Sequence, residues 1–344
     1  MSCVFVSPPA LSRRPLRLLP ITGKRWCLKA RSSVFMTDSS TAKQWQNQQE
    51  RGSPFLLNLL TWVALHLGRR MIFVWLCAIV FYYFLFARSA RSASRNFLQR
   101  ARQRSPKWWE IYRHLLTFAQ VAMDRIYFLA GREAEFDVHI HGNELFDQYK
   151  NRGCFLLTAH IGSFDALRVM GMGRRSDALP IRILLDIQHN GNVMRLLQKL
   201  DPQLAAGVID ARTPAPTLAL ILSEAIEQGH LVGIMADRCA QGERSAAVDF
   251  LGTRAQFPAG VWQLAALLKA PVISCFGVYS GANRYDLHFE LISEQLGTNR
   301  QDRPEAISAG MARYVARLQD LVREHPYNWF NFYDFWQDES TAHH

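Results

Sequence analysis

Short apolar segments alternate with amphipathic segments from residue 136 to residue 322, and this alternation limits the possible folds more than any other feature. An apolar run of about five residues between turn residues is typical of a buried strand, and apolar residues three or four apart are typical of a helix. Strands that alternate with helices predict an α/β fold, a mostly parallel sheet flanked by helices. The predicted strands are 136–141, 155–159, 181–185, 207–210, 231–235, 271–277 and 285–292, the last resembling an edge strand, and the main predicted helices are 115–129, 214–228, 258–268 and 306–322.

The second predicted strand runs directly into a histidine. His160 follows the apolar run 154–159, and Gly162 and Ser163 then interrupt the strand pattern before a predicted helix over 164–170. Ser163 is a candidate N-cap of that helix. Because open α/β sheets bind ligands at the C-terminal ends of their strands, His160 is a candidate site residue. The alternative is a buried histidine with only a packing role.

An acidic residue follows this histidine at close range. Asp165 lies five positions after His160, in the first turn of the predicted helix. A neutral imidazole can take a proton from a hydroxyl while a carboxylate holds its other ring nitrogen. The pair therefore predicts His160 as a general base and Asp165 as its orienting group. The same spacing recurs at His139 and Glu144, where the alternating pattern instead predicts the polar face of a surface strand.

A second strand ends in charged residues. Asp237 and Arg238 follow the predicted strand 231–235, and they share an edge with His160 if the two strands are parallel. A guanidinium binds phosphate groups through two hydrogen bonds, so Arg238 is a candidate for holding a phosphate or a carrier pantetheine. The alternative is a surface ion pair between the two residues.

The segment from Thr158 to Asp165 resembles the His-x4-Asp/Glu block of the lysophospholipid acyltransferase superfamily, and most closely its lipid A biosynthesis branch of lauroyl and myristoyl transferases. That branch usually carries Glu at the acid position. Asp at this position resembles predicted acyltransferases of aryl polyene-type lipid clusters. The likeness runs from about Trp45 to Trp336.

The resemblance implies roles for further residues. Asp237 matches an active-site Asp of the family, and residues 250–252 with 257–260 resemble its Phe-x-Gly and Pro-x-Gly block. Backbone donors near Gly162 or Gly260 are then candidates for binding an oxyanion or a phosphate, although Gly260 also suits a plain helix cap. The family's essential upstream Arg has no clean match, and Arg212 is the nearest substitute, with Arg195 second.

An aromatic segment at 325–336 also resembles the predicted acyltransferases. It predicts either the lining of an acyl pocket or core packing by the last part of the chain.

The composition favours a membrane surface as a partner. The chain has 344 residues and a formal net charge of +11, which suits anionic lipid, nucleic acid or an acidic carrier protein. No nucleic-acid module or interleaved basic and aromatic block is present, so we expect no nucleic-acid partner. None of the six cysteines forms a Cys-x2-Cys pair. We expect no metal and no cofactor, and a reducing compartment.

The N-terminal part divides into two regions. Residues 1–44 are predicted to be a disordered basic extension, either a targeting segment or sequence upstream of a true start at Met36. Residues 45–135 are predicted to be a membrane-associated helical region. Its uncharged run 71–87 spans about 25 Å, which suits a transmembrane helix, a buried helical hairpin or a helix lying in the membrane surface.

The sequence therefore predicts a membrane-bound O-acyltransferase in residues 136–338, followed by a tail at 339–344. It would transfer a fatty acyl group from acyl carrier protein, or from acyl-CoA, to a hydroxyl of a lipid or glycolipid. The expected location is the bacterial inner membrane, with the catalytic domain on the cytoplasmic side. A thioester or ester hydrolase that uses the same His–Asp pair, and a non-catalytic membrane scaffold, remain open alternatives.

Overall fold

The computed structural model describes residues 54–142, 144–149, 152–166, 181–239 and 242–336. The predictions for residues 1–44 and 339–344 lie outside this range, as do residues 167–170 of the helix predicted after Ser163. Residues 164–166 form a 3-10 turn. The Ser163 hydroxyl makes no hydrogen bond, so the expectation that Ser163 caps this segment is wrong.

The sequence pattern located most elements to within a few residues. The described strands are β1 (Asp137–His141), β2 (Cys154–Thr158), β3 (Ile181–Leu185), β4 (Val208–Asp210), β5 (Leu231–Met235), β6 (Ser245–Phe250), β7 (Thr253–Pro258), β8 (Val272–Gly281) and β9 (Arg284–Ser293). The described helices are α1 (Pro54–Leu67), α2 (Arg69–Phe86), α3 (Arg88–Arg102), α4 (Trp108–Leu129), α5 (Glu144–Tyr149), α6 (Gly191–Leu200), α7 (Pro202–Ala206), α8 (Ala215–Glu227), α9 (Gly260–Leu268) and α10 (Arg303–Glu324).

Seven of the strands form one sheet in the order β1-β9-β8-β2-β5-β3-β4. The five strands from β8 to β4 are parallel to one another, and β9 pairs antiparallel with β8. The expected mostly parallel sheet is therefore confirmed. The expectation that 285–292 is an edge strand is wrong, because β1 covers β9 in parallel register and occupies the edge itself.

Helices cover both faces of this sheet. Alternate residues of β2 point to opposite sides: Phe155 and Leu157 join one apolar cluster, and Cys154 and Leu156 join the other. The first cluster is completed by α8, α9 and α10, and the second by α1, α2, α4 and α6. Burial on both faces explains why β2 is apolar throughout and does not alternate.

One pair of strands was not predicted from the sequence. Strands β6 and β7 form a separate antiparallel hairpin around the Phe250 to Gly252 segment.

The surface strand predicted for His139 is confirmed, because β1 alternates between exposed and half-buried residues and His139 is exposed.

Helix α2 packs along α4 in the opposite direction. At its start, Arg69 forms an ion pair with Asp124 of α4 at 2.7 Å. Near its middle, the Cys77 carbonyl accepts a hydrogen bond from the Tyr112 hydroxyl at 3.0 Å. At its end, the Phe84 ring contacts Tyr112. By length and composition, α2 is long and apolar enough to cross a membrane.

Candidate active site

The register between β2 and β5 places His160 beside Asp237. Thr158 is paired with Met235 in the parallel ladder, and the Ala236 N–H donates to the Thr158 carbonyl at 2.8 Å. Two residues beyond each strand, His160 Nδ1 lies 2.7 Å from Asp237 Oδ1. The prediction that these residues share one edge of the sheet is confirmed.

Four hydrogen bonds hold the Asp237 carboxylate, which is fully buried. Oδ1 binds the His160 ring, and Oδ2 accepts from the His160 main-chain N–H at 3.0 Å, from Trp329 Nε1 at 3.0 Å and from Asn331 Nδ2 at 3.2 Å. A buried carboxylate with this many donors is held in its ionised form. Burial alone would raise the pKa of Asp237, but its contacts with His160 and the charge of Arg238 lower it well below its usual range.

The surroundings of His160 favour a neutral ring. Burial lowers the pKa of His160, the nearby Arg238 charge lowers it further, and Asp237 opposes both effects. With Nδ1–H directed at Asp237, the Nε2 lone pair is the basic site. The side chain keeps 26% exposure and lines a cleft, so a substrate can reach it. This is the protonation state and the access that a general base requires.

The C-terminal aromatic segment is built into this site. The Phe330 N–H donates to the His160 carbonyl at 2.7 Å, and the Gly162 N–H donates to the Asn328 carbonyl at 2.9 Å. Gly162 has φ of 51°, and a Cβ there would lie 1.8 Å from the Gly277 carbonyl oxygen, so only glycine fits. Because its N–H is already bonded, Gly162 is not available as the oxyanion donor that the sequence suggested.

The expected pairing of Asp165 with His160 is wrong in geometry. Asp165 instead forms an ion pair with Arg125 of α4, at 2.9 Å between Oδ2 and Nε. The turn after Ser163 directs the Asp165 carboxylate towards α4, and Asp237 takes the contact with His160 Nδ1. Asp165 lines the cleft, but it is not the group that orients the His160 ring.

The cleft in front of His160 has a volume of about 890 Å³. Four arginines line it, and Asp165 is the acidic side chain among its described lining residues. The result is a positive cleft that suits phosphate or other anionic groups. The four arginines are Arg125, Arg195, Arg212 and Arg238.

Two of the three remaining predicted residues line the cleft, and the third does not. Arg238 lines the cleft and donates to the Asn331 side chain and to the Phe330 carbonyl at 2.8 Å, so it is not one half of a surface ion pair. Arg212 is exposed, lines the cleft and donates to Gln188. Gly260 begins α9 beside the Glu243 side chain and is not among the described residues that line the cleft.

Sequence reasoning missed the residues that complete the site from a distance. Arg125 and Phe118 lie on α4, which the sequence assigned to the membrane-associated region, yet both line the cleft. Trp329 and Asn331 lie in the recognised aromatic segment, but nothing in the pattern showed that they bind Asp237. The prediction of core packing is confirmed for Trp329, which is fully buried, and Phe330 of the same segment lines the cleft.

Comparison with known proteins gives one family. The model of the family described as bacterial lipid A biosynthesis acyltransferase matches residues 111–338, about two thirds of the chain. The match begins within α4 and includes the aromatic segment, so it covers every residue of the His160 site described above. No curated protein matches the chain.

Proposed function

Because the chain belongs to the bacterial lipid A biosynthesis acyltransferase family, and is therefore an acyltransferase that acts on lipid, we propose that His160 and Asp237 form its catalytic pair. The observation that carries this proposal is the 2.7 Å contact between His160 Nδ1 and the fully buried Asp237 carboxylate. The pair has the base and orienting group of a serine triad, with a substrate hydroxyl in place of the serine.

The proposed reaction begins at the free ring nitrogen. His160 Nε2 takes the proton of an acceptor hydroxyl as its oxygen attacks the thioester carbonyl of the donor. The C–S bond then breaks, and the imidazolium returns its proton to the leaving thiolate, which departs as a thiol. Asp237 stabilises the imidazolium during both steps. General base catalysis of this kind contributes about 10²- to 10⁴-fold in rate.

The negative oxygen of the tetrahedral intermediate needs a positive or hydrogen-bonding partner. The Gly162 N–H is bonded to Asn328, which argues against a backbone donor at that residue. Arg238 and Arg125 line the cleft together with His160, and Arg238 directly follows Asp237 in the sequence. We assign the stabilisation of the oxyanion to these arginines.

The charge of the cleft supports an anionic donor. Acyl carrier protein presents an acidic surface and a phosphopantetheine, and acyl-CoA presents phosphates. Arg195 and Arg212 at the cleft lining could bind either through their guanidinium groups. The acceptor would be a hydroxyl of a lipid or glycolipid. The exposed apolar surface of α2 and the net charge of +11 support attachment to a membrane, and we propose the cytoplasmic face of the bacterial inner membrane.

The test follows a labelled acyl group from acyl carrier protein, and separately from CoA, into the extracted lipids of cells that make the protein. The wild type is compared with His160→Ala and with His139→Ala. His139 is a suitable control because it also contacts an aspartate, Asp137 at 3.0 Å, but on an exposed strand.

We expect one labelled lipid ester with the wild type and His139→Ala, and none with His160→Ala although that protein is folded. Label that appears as free fatty acid in the presence of acceptor lipid would indicate a hydrolase. Identical lipids from the wild type and His160→Ala with both donors would refute the catalytic role of His160.

A further inference from the structure

The surface of α2 that faces away from the protein is apolar from Met71 to Phe86. No charged residue occurs between Arg70 and Arg88 in the sequence. The exposed large side chains of α2 are Met71, Phe73, Val74, Trp75, Ile79, Phe81, Tyr82, Tyr83, Leu85 and Phe86, most of them at least half exposed. A continuous exposed apolar surface that extends along nearly a whole helix indicates contact with a membrane or another apolar partner.

The opposite side of α2 is joined to the catalytic domain from end to end. Ile72, Leu76 and Val80, each four residues apart, form a buried stripe. Ile72 and Leu76 share an apolar cluster with Val121 of α4, and Val80 shares one with Leu115. A helix that crossed a bilayer beside a water-soluble domain would be covered by that domain at one end only, whereas α2 is covered throughout.

The partner helix α4 is unsuited to a lipid environment. It carries Glu110, His114 and Asp124 as fully buried polar residues and also presents Arg125 to the cleft. Asp124 binds Arg69 of α2 on one side and the Tyr285 hydroxyl of β9 at 2.8 Å on the other. To span the membrane, α2 would have to separate from α4, which would leave the buried Asp124 carboxylate without Arg69. The alternative is that α4 enters the hydrocarbon together with α2.

We propose that α2 does not cross the membrane but lies along one leaflet, with its exposed apolar side in the hydrocarbon and its buried side on α4. The partner that contacts the exposed side of α2 is a leaflet that contains anionic lipid. Charge complementarity supports this choice, because exposed Arg70 and Arg88 flank the apolar run, Arg95 is exposed on α3, and no acidic residue lies between 69 and 102.

This arrangement places the reaction cleft at the same leaflet. Phe332 lines the cleft and also packs in the cluster that contains Val80 and Phe84 of α2. Phe118, which is 44% exposed, lines the cleft beside Phe332 and contacts its ring at a centroid distance of 5.4 Å. A lipid acceptor could therefore move from the leaflet into the cleft along aromatic side chains. The orientation of α2 rests on the proposed membrane attachment and is independent of the proposed catalytic pair.

Two single cysteines test the orientation. Arg70→Cys and Arg88→Cys lie at opposite ends of the uncharged run, and both positions are exposed. Each is introduced into the full chain after its six native cysteines are replaced by alanine. A membrane-impermeant maleimide is applied to spheroplasts and to inside-out membrane vesicles, and labelling of the denatured protein gives the maximum.

We expect both cysteines to react in inside-out vesicles and neither to react in spheroplasts. Reaction of one cysteine in each preparation would show that α2 spans the membrane and would overturn the proposal. A protein found only in the soluble fraction would overturn it as well. Either of these results leaves the acyl-transfer assay with His160→Ala unaffected, so the two proposals fail separately.

A second measurement tests the lipid-facing side itself. Trp75→Glu places a charge on the exposed surface of α2, and Leu220→Glu places one on α8, where Leu220 is 72% exposed. We expect Trp75→Glu to reduce binding to vesicles of phosphatidylethanolamine and phosphatidylglycerol about tenfold or more, since an aromatic side chain that enters the lipid is replaced by a charge. Leu220→Glu should bind as the parent does. Equal binding of the two variants would contradict a lipid-facing α2.

Discussion

Replacement of Asp237 by asparagine gives the sharpest test of the catalytic pair. The two oxygens of Asp237 have unequal surroundings: Oδ1 meets one ring N–H, and Oδ2 meets three donors from His160, Trp329 and Asn331. In Asp237→Asn, the three donors should keep the amide oxygen at the Oδ2 position. The amide NH2 then faces His160 Nδ1 and can bond only if the ring carries its proton on Nε2.

The asparagine therefore selects the histidine tautomer that cannot accept a proton from substrate. It also removes the charge that stabilises the imidazolium. We expect kcat to fall by about 10²- to 10⁴-fold, the full contribution of a general base. Asp165→Asn is the matched control, because Asp165 binds Arg125 and does not contact the His160 ring. We expect Asp165→Asn to keep kcat within about tenfold of the wild type.

The assay measures the initial rate of labelled acyl transfer at saturating donor for both variants, with thermal unfolding as a check that each is folded. Imidazole ¹⁵N shifts of His160 report the tautomer directly. The reasoning is refuted if Asp237→Asn keeps wild-type kcat with the proton on Nδ1, or if Asp165→Asn is the variant that loses activity.

Three further predictions concern other residues. His114 is fully buried, and burial lowers its pKa to about 4. Below about pH 6.5 the ring takes up a proton in the unfolded chain but not in the folded protein. The free energy of unfolding should therefore fall by about 3 kcal/mol between pH 6.5 and 4. Urea unfolding at several pH values should show a smaller fall for His114→Gln, and an equal fall would contradict this. Gly162→Ala should lose about 3 kcal/mol or more of stability, because the new Cβ would meet the Gly277 carbonyl oxygen. Gly252 also has positive φ, but no atom lies near its Cβ position, so Gly252→Ala should lose about 1 kcal/mol. Equal losses for the two variants in chemical denaturation would argue against the close contact at Gly162. Arg212→Ala should raise KM for the anionic donor several-fold and make that KM less dependent on salt, with little change in kcat. An unchanged KM in steady-state kinetics would exclude Arg212 from donor binding.

Local pattern was sufficient for most strands and helices and for the sheet edge on which the site lies. The apolar runs before His160 and Asp237 are strands of five residues buried on both faces, and such strands are typical of parallel sheets. Parallel strands share a C-terminal edge, so the two residues had to lie on the same side of the sheet. This inference needs no knowledge of the rest of the chain.

Tertiary structure alone decided which carboxylate binds His160 and which N–H groups remain free. Asp165 is near His160 in sequence, but the turn after Ser163 directs it to Arg125 on α4. Asp237 reaches His160 through the pairing of Thr158 with Met235, and residues 328–330 return from the end of the chain to occupy the Gly162 N–H. Hydrogen bonds depend on distances between segments far apart in sequence, and residue types do not specify these distances. The sequence by itself therefore determined the chemistry that could occur at this edge of the sheet, and the packing of α4 and the aromatic segment decided which atoms are placed to perform it.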